Sequence, residues 1–221
     1  MSGFFVLECK SNDMKIEKEL LEIAQRIRAL SQTGLVYSDN EYNTERYEEL
    51  LHLSNSMTAL ISGNDVSVIE GCFRIEDDYV TPKVDVRAVV FNDKNEILLV
   101  QERADGGWAI PGGWADVGYS PTEVAVKEIK EETGLNVEPI RLIAVLDKKC
   151  HNHPPAPHYA YKIFILCKLI DGEFTSAFDI LDKGFFKQSE IPPLSEERTL
   201  KSQIDLMFEY KNNPDKDAII D

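Results

Sequence analysis

The sequence predicts an α/β or α+β fold preceded by a small helical domain, on three observations. The N-terminal part carries two apolar stripes of helical period. From Asn64 onward the texture changes to short β-rich runs. Among those runs a glycine-bearing loop leads directly into a well-marked helix.

Residues 1–13 are read as an N-terminal extension. From Lys15 to Gly34 the apolar residues Ile16, Leu20, Ile23, Ile27 and Leu30 recur at alternating gaps of four and three, which makes one helical stripe. A second helix is expected from Thr44 to Ser62, with Tyr47, Leu50, Leu51, Ser54, Met57 and Ile61 on one side and Gly63 as its stop. The connector between them, Thr33 to Asn43, is rich in Gly, Ser, Asp and Asn, as a loop should be. A lone hairpin cannot bury both stripes. Residues 14–66 are therefore expected to pack against the following domain or against a second copy, and the regular seam favours a homodimer through these helices.

The remainder, 67–221, is expected to be the second domain. Val84 to Phe91 and Glu96 to Gln101 are strand candidates joined by the turn Asn92-Asp93-Lys94-Asn95. Ile140 to Leu146 and Tyr159 to Leu169 are two more, separated by a loop with His151, His153, His158 and three prolines. A last helix, capped by Ser195, is expected to reach about Tyr210.

Bulk properties narrow the function classes. Over 221 residues, 39 acidic residues against 24 basic ones give a net charge of -15, with no basic run. Affinity for a long polyanion comes largely from neutralising phosphates, so nucleic acid is not expected as a partner. The acid either solubilises the surface or gathers in part at a metal site. No apolar run approaches the roughly 20 residues of a bilayer span, and Phe4 to Leu7 is too short for a signal-peptide core, so no membrane contact and a cytoplasmic location are expected. The four cysteines are scattered and form no C-x-x-C pair, which argues against a zinc site or a disulfide framework.

The chemistry concentrates between Gly112 and Leu135. Pro111-Gly112-Gly113-Trp114-Ala115-Asp116-Val117-Gly118-Tyr119 runs straight into a helix that Ser120 caps, Pro121 opens and Glu123 completes as a capping box, with Gly134 as its left-handed stop. At about 100° per residue, Glu128, Glu131 and Glu132 share one arc of this helix. Ala125, Val126, Ile129 and Thr133 occupy the neighbouring arc, which can bury against a sheet. Crowded carboxylates repel, and a divalent cation would relieve them, while the preceding glycine loop lets backbone approach a phosphate and its metal.

These residues resemble the Nudix box: Gly, five residues, Glu, seven residues, then Arg-Glu-apolar-x-Glu-Glu-x-Gly-apolar. Gly113 starts it, and Glu128-Ile129-Lys130-Glu131-Glu132-Thr133-Gly134-Leu135 ends it in register. Tyr119 stands in place of the first Glu and Lys127 in place of Arg, with Asp116 a candidate substitute for the missing acid. In the family that Arg orients the catalytic Glu, and lysine keeps its charge without the planar fork. Ile27 to Leu35, Glu45 to Glu49 and Thr81 to Arg87 are also similar to a Gram-positive bacterial branch with a helical N-terminal domain, whose members include a CDP-choline pyrophosphatase and ADP-ribose enzymes.

The resemblance implies a Nudix fold, a mixed β-sheet sandwiched between helices, and hydrolysis of a nucleoside diphosphate linked to another group. It implies Mg2+, for which Mn2+ can substitute, held by Glu128, Glu131 and Glu132 with the Gly112 carbonyl. Glu128 is the first candidate for general base and Asp179 the second. Arg87 and Arg103 are expected to grip phosphate oxygens. His151 and His158 sit in a loop that could close over substrate, and Trp114 and Tyr119 offer faces to a choline headgroup. CDP-choline is the leading substrate expectation and ADP-ribose or a nucleotide sugar the nearest alternative. A non-catalytic nucleotide sensor and an enzyme acting on RNA ends are the competing classes.

Overall fold

The computed structural model describes residues 4–73, 80–156 and 158–221, with side chains from residue 16 onward. The first three residues of the expected N-terminal extension, and Pro157 of the histidine loop, lie outside the described residues. Contacts divide the chain into two units, Met1–Thr81 and Pro82–Asp221.

The first unit is helical: α1 (Phe4–Val36), α2 (Glu41–Ser62) and α3 (Val66–Cys72). Asn40 caps α2, its side-chain oxygen accepting the Asn43 amide at 2.9 Å, and Gly63 ends it at φ 67°, in the left-handed region. The hairpin closes through small and polar residues rather than through the apolar stripe. Leu21, Ala24, Arg28 and Ser31 of α1 are buried, as are Ser54, Asn55, Thr58 and Ala59 of α2. Ser54 Oγ donates to the Ala24 carbonyl at 2.7 Å, and Arg28 Nη2 donates to Asn55 Oδ1 at 2.9 Å. Small residues let the backbones approach, and the apolar stripe is thereby turned outward. Ile16, Leu20, Ile23 and Leu30 remain exposed, as do Leu53 and Leu60 of α2.

In the second unit the described residues form one mixed sheet and two helices. The strands are β1 (Lys83–Phe91), β2 (Ile97–Glu102), β3 (Trp108–Ala109), β4 (Gly112–Trp114), β5 (Asn136–Asp147), β6 (Ala160–Asp171), β7 (Ile180–Phe186) and β8 (Ile219–Ile220). The helices are α4 (Pro121–Thr133) and α5 (Lys201–Asn212). The sheet runs β3-β2-β1-β6-β5-β8, with β4 on β1 and β7 on β2. β1 pairs parallel with β6 from Lys83↔Ala160 to Phe91↔Lys168, and β5 pairs parallel with β8, while the other pairings are antiparallel.

β1 is buried on both faces from Asp85 to Phe91, which explains the apolar run Ala88-Val89-Val90-Phe91 at its end. Its residues Val86, Ala88 and Val90 pack with Val124, Ala125 and Ile129 of α4. Val89 and Phe91 pack on the opposite side with Ile204, Met207 and Phe208 of α5. The sheet is thus sandwiched between helices, as the resemblance implies.

One expectation is corrected. Ser195 does not cap the last helix, which begins at Lys201. Its amide donates to the Trp108 carbonyl at 2.9 Å and its hydroxyl to Asp105 at 2.7 Å, so its capping groups are already spent on the β3 region. The Leu200 amide instead donates to the Gln203 side chain at 3.1 Å.

Candidate active site

The two faces of α4 have different tasks. Its start is fixed by the reciprocal capping box: Ser120 Oγ accepts from the Glu123 amide at 3.3 Å, and Glu123 accepts from the Ser120 amide at 2.8 Å. Its end is fixed by Gly134 at φ 85°. With the apolar arc seated on β1, Glu128 and Glu132 are carried to the glycine loop. Glu132 is buried, and its Oε2 accepts the Gly112 amide at 3.1 Å. Gly112 itself sits at φ 143°, and a Cβ there would collide with the Val86 carbonyl oxygen, so only glycine fits.

A cleft of about 320 Å³ opens at this junction. Its walls carry Asp85, Arg87, Glu102, Gly112, Gly113, Trp114, Glu128, Glu132 and His158, together with Lys148, Asp179, Glu197 and Arg198. Of the residues expected from the sequence, Gly112, Glu128, Glu132, Asp179, Arg87, Trp114 and His158 come together here. Glu131 does not: its side chain is 60% exposed and lies 3.6 Å from Lys127. Arg103 is exposed and donates to the Phe178 carbonyl. Tyr119 lies outside the cleft, its ring 5.6 Å from the Lys127 ammonium, and His151 is paired with Asp221 at 2.9 Å.

Burial dominates the electrostatics. It pushes the Glu132 carboxyl up to about 8, opposed by Arg87 and reinforced by Glu128 and Glu102. Glu128 and Glu102 are raised for the same first reason, with Lys127 and Arg198 respectively opposing. Beneath them lies a buried charged network. Asp85 accepts from Arg87 Nε at 2.8 Å and Nη2 at 3.2 Å, and from the Lys162 ammonium. Arg87 also donates to the Ile110 carbonyl at 2.9 Å. Its guanidinium is therefore occupied by protein acceptors, although it borders the cleft. Burial would raise the Asp85 carboxyl, but the two cations outweigh it and hold the group below the ordinary carboxylate range.

Lys127 ties to Asp116 at 2.9 Å and lies 4.0 Å from Glu128. This is the acid that the sequence offered in place of the missing Glu. Glu102, Lys148, Glu197 and Arg198 were not anticipated. Nothing local in the sequence distinguishes them, because strand pairing and the return of the chain before α5 bring them to the cleft.

The donor set suits a hard divalent cation that keeps water ligands: two carboxylates, Glu128 and Glu132, beside the Gly112 backbone. Among the described residues no three His, Cys, Asp or Glu side chains gather closely enough to enclose an ion.

Residues 81–199 match the NUDIX domain model, and residues 18–73 match a UDP-X-like N-terminal oligomerisation domain. The chain is 47% identical over 208 residues to YjhB of Bacillus subtilis, named provisionally an ADP-ribose pyrophosphatase, covering 94% of this chain and all of that one. It is 33% identical to an ADP-ribose pyrophosphatase of Methanocaldococcus jannaschii over 53% of this chain and 69% of that one. Among solved structures, a UDP-X diphosphatase is 35% identical with a TM-score of 0.60, covering 93% of this chain and 99% of that one. An ADP-ribose pyrophosphatase of Streptococcus suis is 42% identical with a TM-score of 0.58, covering 64% of this chain and all of that one. With the box in register, its two carboxylates in a cleft and these matches along nearly its whole length, the chain belongs to the Nudix family of hydrolases.

Proposed function

We propose that this Nudix pyrophosphatase splits the diphosphate of ADP-ribose, or of a closely related nucleoside diphosphate sugar, into a nucleoside monophosphate and a sugar phosphate. The observation that carries the reading is the pair Glu128 and Glu132 at the glycine loop, in a cleft walled on another side by the half-exposed Trp114 and by His158. The names of the relatives support the sugar-linked substrates. CDP-choline remains the second reading, supported by an indole face among carboxylates, a setting suited to a quaternary ammonium.

Mg2+, or Mn2+ in its place, would be held by Glu128, Glu132 and the Gly112 carbonyl, and when bound it would polarise a phosphoryl oxygen and lower the pKa of water. The chain's own groups do the rest. Glu128, half-buried beside Gly113, accepts the proton of the attacking water, with Asp179, which also lines the cleft, as the alternative acceptor. Lys127 braces Glu128, and Asp116 braces Lys127 in turn. Trp114 offers an aromatic face to the nucleoside base, and His158, whose ring meets Trp114 edge-on at a centroid distance of 6.5 Å, lies beside it.

For the helical unit we propose a homodimer, a second copy covering the outward stripe of Ile16, Leu20, Ile23 and Leu30. The match to an oligomerisation domain supports it.

The test is product analysis with magnesium across ADP-ribose, CDP-choline and UDP-glucose. ADP-ribose is expected to give AMP and ribose 5-phosphate at the highest kcat/KM. Faster cleavage of CDP-choline would select the second reading, and no cleavage of any of the three would defeat both.

A further inference from the structure

The cations around the cleft are unequally committed. Arg87 is spent on Asp85 and the Ile110 carbonyl. Arg198 lies 3.3 Å from Glu102 and 3.3 Å from Asp105, and donates to Ser195 Oγ at 3.1 Å. Lys162 is buried against Asp85, and Lys127 is tied to Asp116. Lys148 lines the same cleft, half-buried, and among the described residues no acceptor or carboxylate pairs with its ammonium. It feels the fields of Glu197 and Asp85, and of Arg87 and Arg198, without an ion pair to either acid, and burial lowers its pKa. A partly desolvated charge without a partner costs free energy unless a ligand supplies one.

The backbone on both sides of Lys148 is pinned. It opens a 3-10 turn, Lys148–Cys150, at the end of β5. Asp147 accepts the Lys149 amide at 2.9 Å through one oxygen and the Tyr159 hydroxyl at 2.6 Å through the other. The Asp147 amide donates to Asp221 at 2.8 Å, and the same Asp221 oxygen holds His151. β8 pairs with β5 just before the turn, at Ala144↔Ile219 and Val145↔Ile220. A lysine left to solvent needs no such bracket. A lysine meant to meet an anion gains from it, because less order remains to be imposed when the anion binds.

We propose that Lys148 is a substrate-binding residue whose ammonium takes a non-bridging oxygen of the substrate's diphosphate. The role was expected of Arg87 and Arg103, but Arg87 is already occupied and Arg103 lies off the cleft. The assignment rests on the pyrophosphatase reading above, and it adds the group that anchors the diphosphate in an otherwise acid-rich site.

The test compares wild type with Lys148→Met, which keeps the stem and removes the charge, and with Lys148→Arg. A charge-assisted hydrogen bond lost from ground and transition states alike predicts a KM for ADP-ribose higher by about 10- to 100-fold, with kcat within about threefold. Inhibition by inorganic pyrophosphate should weaken by a similar factor, and Lys148→Arg should recover most of both effects. Should Met lower the melting temperature, Lys148→Gln carries the same comparison. A wild type that cleaves ADP-ribose while the uncharged variant keeps its KM and its pyrophosphate inhibition overturns the assignment and leaves the pyrophosphatase reading standing. A wild type that cleaves nothing in the panel overturns that reading, and the assignment with it.

Discussion

Removal of the Asp85 carboxylate is the sharpest perturbation of the scaffold under the cleft. Arg87 and Lys162 are 5% and 1% exposed, and Asp85 is the carboxylate that both contact. Asp85→Ala therefore strands two buried cations, for which the cost is about 3–5 kcal/mol. A domain of ordinary stability holds about 5–15 kcal/mol in total, so the loss is a large fraction of it. At about 3–5 °C per kcal/mol, the melting temperature should fall by roughly 10–20 °C. Adding Lys162→Met should recover part of the loss, because it removes one stranded charge and leaves an apolar stem of similar size. The assay is thermal unfolding, followed by circular dichroism, of wild type, both single variants and the double variant at neutral pH. A loss below about 1 kcal/mol for Asp85→Ala, or strict additivity in the double variant, would refute the uncompensated-charge reasoning.

Burial pushes the His153 pKa down from 6.5 to about 4, while its Nδ1–H donates to the Glu196 carbonyl at 2.7 Å and its Nε2 accepts from Gln203 at 3.0 Å. The folded ring stays neutral while the unfolded one gains a proton, so the contribution of His153 to stability should be flat above about pH 6.5 and should decline by at most about 3 kcal/mol toward pH 4, against the opposite trend of Glu132, whose raised carboxyl favours the folded state at lower pH. Denaturant unfolding at pH 7.5 and 5.0 should show wild type losing stability relative to His153→Asn on going to the lower pH, and an equal pH response in the two would refute it. Ile23→Asp, which places charge on the outward stripe of α1, should convert a dimer to a monomer at micromolar concentration without loss of helicity. A monomeric wild type in sedimentation would remove the dimer instead.

The box helix was legible because its signals are local: the Ser120 and Glu123 box, Gly134 and the three-four spacing of carboxylates specify one element regardless of context. Spacing placed Glu131 with Glu128 and Glu132, yet 100° of arc is wide, and the outer residue of the three faces Lys127 and water. Cations were the least legible part. Arg87 and Arg103 are near the loop in sequence, but only the fold shows that Asp85 and the Phe178 carbonyl take them, and that Lys148, arriving from the far end of β5, lines the cleft with no ion pair among the described residues. Ser195 carried a valid capping signal that a tertiary partner, Asp105, claimed first. The apolar stripe of α1 was read correctly as a stripe, while the hairpin closes on Ala24, too small to register in an apolar pattern, and on Ser54, a polar member of the stripe read for α2.

In the proposed function Glu132, buried against Gly112, belongs to the machinery that hydrolyses the diphosphate. Glu132→Gln keeps the shape and a carbonyl to accept the Gly112 amide, and in a site where the carboxyl is pushed up to about 8 it resembles the protonated form, so the fold should be unchanged. The direct measurement is turnover of ADP-ribose with magnesium by wild type and by Glu132→Gln, alongside their melting temperatures. The expected result is a fall in kcat of about 1000-fold or more at equal stability; undiminished turnover by the folded variant would contradict the account.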